Sequence, residues 1–242
     1  MVKIDEIASD VYRISIFVSD FNLQFNHFLI KDDEPMLYHA GMRGMFPMLR
    51  EAVAKIIDPS EIKWIGASHF EVDEWGGLNE WLRESPQAQA VCTNIGALIN
   101  LNDYADRAPR GLLKDEILNT GKYSFRILPT PHLPHGWDAG MLFEETGKIL
   151  FCSDLFHQVG DVKTIEESDV IDRCRQALTE YQAGPLMDYM PFTSITERLI
   201  GELAELKPST LAAMHGSTFI GDCEKALHEF GGVMKEVLGQ DE

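Results

Sequence analysis

Residues 69–74 bring one imidazole and three carboxylates into six positions: the stretch reads Ser68-His69-Phe70-Glu71-Val72-Asp73-Glu74-Trp75-Gly76. In an extended or looping segment, side chains at i, i+2 and i+4 point to one side, so His69, Glu71 and Asp73 can converge on a single cavity. Converging imidazole and carboxylate donors suit a metal cation; the plainer alternative is a solvated acidic loop. Three later segments each present a ligand-type residue directly after a strand-like run. They are His135 in Pro131-His132-Leu133-Pro134-His135-Gly136-Trp137-Asp138, Asp154 in Phe151-Cys152-Ser153-Asp154, and His215 in Ala213-Met214-His215-Gly216. Loops at the carboxyl ends of strands in αβ sheets meet in space although they lie far apart in sequence. His69, Glu71, Asp73, His135, Asp154 and His215 are therefore candidates for one metal site.

The elements that must position them are readable from periodicity. Residues 11–38 alternate β-rich runs with turn residues, the pattern of consecutive antiparallel strands. Residues 46–57 carry apolar residues at helical spacing and stop at Asp58-Pro59, and 63–67 then reads as a buried strand ending at Ser68-His69. A helix over 78–83, a strand over 88–92 and a helical stretch over 93–101 follow. The polar segment 102–118, with Pro109 and Gly111, reads as an irregular connection. Strands are expected over 123–128, 139–145 and 148–152, the last two joined through Thr146-Gly147 as a hairpin. Helices are expected over 166–181, 190–206 and 222–238, with a short strand over 210–214. No repeat, low-complexity tract or Pro/Gly/Ser-rich linker divides the chain, so residues 1–242 are expected to form one domain.

Composition excludes several function classes. The 21 basic and 39 acidic residues leave a net charge of −18, which repels phosphate backbones and acidic lipid surfaces, so neither nucleic acid nor membrane is an expected partner. No apolar run reaches the roughly 18 residues of a membrane span, and the start MVKIDEIASD lacks the features of a signal peptide; a cytoplasmic location is expected. Cys92, Cys152, Cys174 and Cys223 contain no Cys-x-x-Cys pair, which argues against a zinc knuckle or dithiol motif and for reduced structural thiols.

Taken with these motifs, the chain resembles the metallo-β-lactamase superfamily, whose signature is His-x-His-x-Asp-His followed by His, Asp and His. More narrowly it is similar to the flavodiiron branch, which carries His-x-Glu-x-Asp, as His69, Glu71 and Asp73 do here. That branch also has a His followed three residues on by Asp, as in His135 and Asp138, and an Asp-x-Phe-x-Gln run like Asp154-Leu155-Phe156-His157-Gln158. The spacings from His135 to Asp154 and from Asp154 to His215 match as well. The resemblance runs over the whole chain. It implies an α/β fold, an αββα sandwich of two mixed β-sheets flanked by helices. It also implies two iron ions, one bound by His69, Glu71 and His135, the other by Asp73 and His215, with Asp154 bridging. The donor set agrees: three imidazoles, three carboxylates and no cysteine form a hard, anionic set that suits iron or manganese better than the His-rich sets of zinc hydrolases.

The sequence departs from that family in three places. Glu74 stands where relatives have a histidine, as either a seventh ligand or a nearby acid. The chain stops at Glu242, where a flavodiiron protein continues into a flavodoxin-like domain, so the resemblance narrows to stand-alone oxygen-binding diiron proteins. No flavin is expected in this chain, and electrons would come from a separate protein. One residue fewer separates Asp73 from His135 than expected, and His132 offers a competing ligand; the spacing to Asp154 and the Asp138 partner favour His135. Asp138 is either an acceptor for the free ring N–H of a ligating histidine or an ordinary turn residue. His27, on a strand, is either a proton donor facing the site or a core residue. His39, His157 and His228 have no ligand-like company and read as structural or surface residues. Phe70, Trp75, Trp137 and Phe156 flank the ligand segments and would make a dry pocket, or are simply core.

The implied function is a non-haem diiron protein that binds O₂ or NO, as an O₂ or NO reductase fed by an external donor or as a sensor signalling to a partner. A homodimer is expected because dimers are common in that family. The alternative is a dinuclear zinc hydrolase of a thioester, lactone or phosphoester, against which Glu71 and Glu74 both count.

Overall fold

β-branched and aromatic residues dominate the beginning of the chain and pair as an antiparallel ladder. In the computed structural model, which describes residues 2–239, this ladder is β1 (Val2–Ala8), β2 (Val11–Val18), β3 (Leu23–Ile30) and β4 (Met36–Tyr38). Helix α1 (Phe46–Val53) then crosses to β5 (Trp64–Gly66), which lies parallel to β4. Helices α2 (Val72–Trp75) and α3 (Leu78–Glu84) lead to β6 (Gln89–Thr93). From there α4 (Asn94–Gly96), a π turn at Ala97–Leu101 and α5 (Asn102–Tyr104) lead to β7 (Arg110–Leu112), so that β4 to β7 run parallel. The second sheet begins with the antiparallel run β8 (Ile117–Asn119), β9 (Ser124–Pro129), β10 (Gly140–Glu144) and β11 (Ile149–Phe151). After β12 (Ile165–Glu166), α6 (Ile171–Gln182) and α7 (Thr196–Glu205), β13 (Thr210–Ala212) inserts parallel to β11. β14 (Thr218–Ile220) and α8 (Cys223–Leu238) complete the described chain. The sheet orders are β1-β2-β3-β4-β5-β6-β7 and β12-β14-β13-β11-β10-β9-β8.

Strand alternation divides the apolar side chains among three cores. Phe28, Ile30, Met36 and Tyr38 of the first sheet meet Phe125, Ile127, Leu142 and Phe151 of the second between the sheets. On the other side of the first sheet, Phe25, Leu29 and Leu37 pack with Leu49, Leu78 and Trp81 of the helices. Beyond the second sheet, Met141, Phe143 and Leu150 pack with Cys174, Leu199, Leu203, Leu227 and Phe230. Three cores between four layers are the αββα sandwich that the resemblance implies.

Several elements depart from the sequence reading. β1 precedes the expected first strand. Segment 102–118 is irregular only in part: it contains β7 and the start of β8, each three residues long, too short for a period to show. The helix expected over 166–181 begins at Ile171, because Glu166 joins β12 and the Asp169 Oδ1 accepts from the Ile171 N–H at 2.8 Å. The helix expected over 190–206 begins at Thr196; Pro191 disfavours helical backbone at the residue before it. All four cysteines are buried and unpaired. Among the described residues, no helix is long and apolar enough to cross a membrane.

Candidate metal centre

Four strands of the two sheets end at one cleft. The loop after β5 carries His69 and Glu71, the loop after β9 carries His135, that after β11 Asp154, and that after β13 His215. The stretch 69–73 does not stay extended. Asp73 lies in the first turn of α2 and reaches the cleft from a helix, so the simple alternation expected for the three residues holds only for His69 and Glu71. The cleft has a volume of about 340 Å³, and Glu71, Asp73, His135, Asp154 and His215 line it.

Asp154 is its centre. Its Oδ2 lies 3.2 Å from His135 Nε2 and 3.7 Å from His69 Nε2, and its Oδ1 lies 3.5 Å from His215 Nε2. Glu71 Oε2 stands 3.0 Å from His69 Nε2 and 3.2 Å from His135 Nε2. Asp73 Oδ2 is 3.2 Å from His215 Nε2. All six residues thus meet, as two groups on the two oxygens of one carboxylate. Donor atoms of His69, Glu71, His135 and Asp154 lie within 4.8 Å of one another, a group able to hold one cation. An ion ~2.1 Å from each ligand places neighbouring ligand atoms ~3.0–3.4 Å apart, depending on coordination geometry. Four of the spacings above fall in that range, and the two from Asp154 to His69 and His215 are longer, at 3.7 and 3.5 Å.

Ring tautomers make the case for a cation stronger than distance does. His215 Nδ1 lies 2.9 Å from the Gln24 carbonyl, which can only accept, so the ring proton sits on Nδ1. The Nε2 lone pair of the neutral ring then faces the Asp73 and Asp154 carboxylates, an arrangement that needs a cation or a second proton between them. His69 is held alike, with Nδ1 against Ser68 Oγ at 2.8 Å and Glu74 Oε1 at 3.3 Å. Asp73 Oδ1 is buried without a hydrogen-bond partner.

The charges packed around these rings make the same demand for positive charge. Burial opposes charging of His69, but the Glu74, Glu71 and Asp154 carboxylates around it push the ring up to about 10. Burial likewise opposes charging of His135 and His215, and Asp154 with Glu71 for the former and Asp73 with Asp154 for the latter raise each to about 9. Hydrogen bonds from His135 and His69 hold Glu71 down to about 2. Burial works against ionising Asp154, yet His135, His69 and His215 hold it well below the usual carboxylate range.

Glu74, at the family's histidine position, turns away from the cleft. It is fully buried and accepts from the Ser68 N–H at 2.7 Å, the Ser68 hydroxyl at 2.6 Å and the His69 N–H at 2.9 Å. Of the two alternatives the sequence leaves open, this is the geometry of the nearby acid: it fastens the backbone that carries His69. Burial pushes its carboxyl up to about 7. Asp138 does not hold a ligand histidine: its carboxylate accepts from Asn100 Nδ2 at 3.2 Å, and its carbonyl accepts from the Thr93 hydroxyl. His27 does not face the cleft either. Its Nδ1 pairs with the His39 carbonyl at 3.0 Å, and its ring packs beside Gly41 on the helix side of β3. His132 takes a left-handed backbone, φ +64°, and does not line the cleft, whereas His135 does.

The dry wall is not built from the expected aromatics. Phe70 and Trp137 are exposed, and Trp75 and Phe156 belong to separate cores. The apolar lining comes instead from Leu23, Phe25, Met42, Val72 and Leu186. His39 is core and His228 exposed, as expected, but His157 lines the cleft together with Tyr181 and Tyr189. The sequence signal for His157 was its place three residues after Asp154 in the same loop; the tyrosines carried none.

This geometry has counterparts. The chain is 23% identical over 219 residues to rubredoxin-oxygen oxidoreductase of Megalodesulfovibrio gigas, covering 88% of this chain and 54% of that protein. It is 25% identical over 144 residues to flavo-diiron protein FprA2 of Clostridium acetobutylicum, covering 57% of this chain and 35% of the relative. The flavodiiron protein of Giardia intestinalis superposes with a TM-score of 0.80 at 20% identity, over 98% of this chain and 60% of that one. The chain thus spans about half the length, or less, of these curated relatives, and its fold is that of the flavodiiron metallo-β-lactamase-like core. The pattern of the ODP family beta lactamase matches residues 23–216, from the first residue of β3 to the residue after His215, and takes in all six converging residues: the chain belongs to that family.

Proposed function

We propose that the cleft is a dinuclear non-haem iron site that binds O₂ or NO, with electrons supplied by a separate donor protein or with occupancy read by a signalling partner. One observation carries the reading: a buried carboxylate, Asp154, turns one oxygen to His69 and His135 and the other to His215. His69, Glu71 and His135 would hold one ion, Asp73 and His215 the other, and Asp154 would join both. Bound as a ferrous pair, the ions would supply Lewis acidity and the electrons for reducing a diatomic ligand. The donor set favours iron, with manganese or zinc as the alternatives, because Glu71 supplies a hard carboxylate and no thiolate is present. The names of the relatives, an oxygen oxidoreductase and flavo-diiron proteins, support the same choice.

The chain's own residues do the rest. Leu23, Phe25, Met42, Val72 and Leu186 line the cleft with apolar surface that suits an apolar diatomic and discourages water. Gln24 and Ser68 fix the tautomers that turn the His215 and His69 Nε2 lone pairs inward. Glu74 spends its oxygens on Ser68 and His69, which counts against the zinc-hydrolase reading because no ligand then takes the place of the hydrolase histidine.

Metal analysis of protein prepared without oxygen, with absorption spectra before and after admitting air, tests the proposal. The expected result is about two irons per chain and a new near-ultraviolet or visible band on exposure. Two zincs with no spectral response would overturn it.

A further inference from the structure

Among the groups lining the cleft, the six ligand candidates leave one wall unexplained, that of His157, Tyr181 and Tyr189. The His157 ring stands 5.1 Å from the ring of His215, 4.7 Å from Tyr181 and 6.0 Å from Tyr189, and Tyr189 is 6.2 Å from His135. His157 is 3% exposed, and neither of its ring nitrogens has a hydrogen-bond partner. The Tyr189 hydroxyl is buried and unpartnered too. A core histidine normally satisfies at least one nitrogen, because a buried polar group left unpaired loses its hydration without a replacement. Two such groups on one wall, facing a cleft, point to a ligand they both serve.

The loop that presents His157 is built at some cost. Ser153 and Phe156 both take left-handed backbone, φ +54° and +62°, a conformation that side chains with a Cβ rarely adopt. This geometry sends Phe156 down to stack on Phe230 at 4.6 Å while its neighbour His157 lines the cleft. Whichever neutral tautomer His157 adopts, it offers one N–H. That donor is buried, and away from bulk water a hydrogen bond to a ligand gaining negative charge is stronger.

We propose that His157, seconded by the Tyr189 hydroxyl, donates a hydrogen bond to the diatomic ligand and thereby determines how tightly it is held. The inference rests on the dinuclear reading above. His157 is thus a specificity-determining residue of the cleft rather than a metal ligand or a core filler.

The test loads the full chain with ferrous iron under anaerobic conditions and uses NO as the probe. Iron content, NO affinity and the infrared N–O stretch in H₂O and D₂O are compared for the wild type, His157→Phe and His157→Gln. The phenyl ring keeps the packing on Tyr181 without a donor, and the amide keeps a donor. Expected for His157→Phe are full iron content, about tenfold weaker NO binding and loss of the D₂O-sensitive shift, all substantially restored in His157→Gln. Equal affinity and an unmoved stretch in iron-replete His157→Phe would overturn the donor role alone. Loss of iron in that variant would overturn it in favour of a ligand role. A wild-type protein that takes up iron and binds no NO or O₂ would overturn the parent reading, and this inference with it.

Discussion

The two oxygens of Asp154 look onto unlike halves of the cleft. On the Oδ2 side stand His69, Glu71 and His135, the last two with side chains 44% and 26% exposed. On the Oδ1 side stand Asp73 and His215, only 10% and 6% exposed. The outer half has more candidate ligands on loops near solvent. The inner half has fewer, but its backbone is clamped to the first sheet. Met214 O accepts from the Asn26 N–H at 2.9 Å, His215 Nδ1 donates to Gln24 O, and Gly216 O accepts from Arg13 and Asn26 side chains at 2.8 Å each. Gly216 itself takes φ +152°, and a Cβ there would crowd Gln158 and the Phe156 carbonyl at 3.0–3.1 Å. The molecule thus combines an outer half defined by its side chains with an inner half defined by its backbone, and one carboxylate ties them together.

Removing the tie should have the largest effect. Asp154→Ala is expected to lower iron from about two per chain to almost none, because both halves lose a ligand and three imidazoles lose their shared counter-charge. Metal analysis after anaerobic loading checks this; retention of both ions would show that the halves bind independently.

The asymmetry predicts different failures for the halves. Glu71→Ala should cost about one iron per chain and leave the thermal stability of the metal-free protein nearly unchanged, since that carboxylate is half-exposed. His215→Ala should also cost about one iron, and in addition roughly 2 kcal/mol of metal-free stability, because a buried ring and the partner of the Gln24 carbonyl both disappear. Iron content and thermal unfolding of both variants measured side by side would show it. Equal destabilisation would mean the inner half is no better braced than the outer.

Glu74 links the outer half to its strand. Glu74→Ala would leave the Ser68 and His69 amides without an acceptor, at a cost of roughly 3 kcal/mol. In Glu74→Gln one amide oxygen can still accept from that backbone. The expected result for Gln is both irons retained at saturation, with affinity reduced by about 10- to 100-fold. Competition with a chelator measures it, and total loss of one ion would instead make Glu74 a ligand.

How much of this could be read beforehand follows from where the information lay. His69, Glu71, His135, Asp154 and His215 were legible because each is a ligand-type residue directly after a strand, and strand ends converge by the construction of the fold. Asp73 was found for a partly wrong reason, since α2 rather than an extended segment delivers it. The sequence leaves Glu74 open between ligand and nearby acid because the tight return from α2 to the amides of residues 68 and 69 has no periodic signature. β7 and β8 are held by pairing with their neighbours β6 and β9 rather than by any pattern of their own. His157 reads as structural because the one carboxylate near it in sequence, Asp154, is already a ligand candidate; only the packing shows both of its nitrogens unpartnered at the cleft. Tyr189 lies after α6 in a segment of irregular turns, held by hydrogen bonds such as those between Gln182 and Asp188, that carries no periodic pattern.

Asp138 offers the smallest effect and a sharp check on motif reasoning. The sequence places it three residues after His135, a spacing that suggests a carboxylate bracing a ligand ring. The fold instead sends its carboxylate to Asn100, in the π turn, at 3.2 Å. Asp138→Ala should therefore leave iron content and affinity unchanged within about twofold and cost under roughly 1 kcal/mol of stability, the worth of one partly exposed side-chain hydrogen bond. Chelator competition and thermal unfolding on this variant give both numbers. A tenfold loss of iron affinity would mean that Asp138 swings to His135 once the metal is bound, and that the outer half is braced from two sides instead of from Glu74 alone.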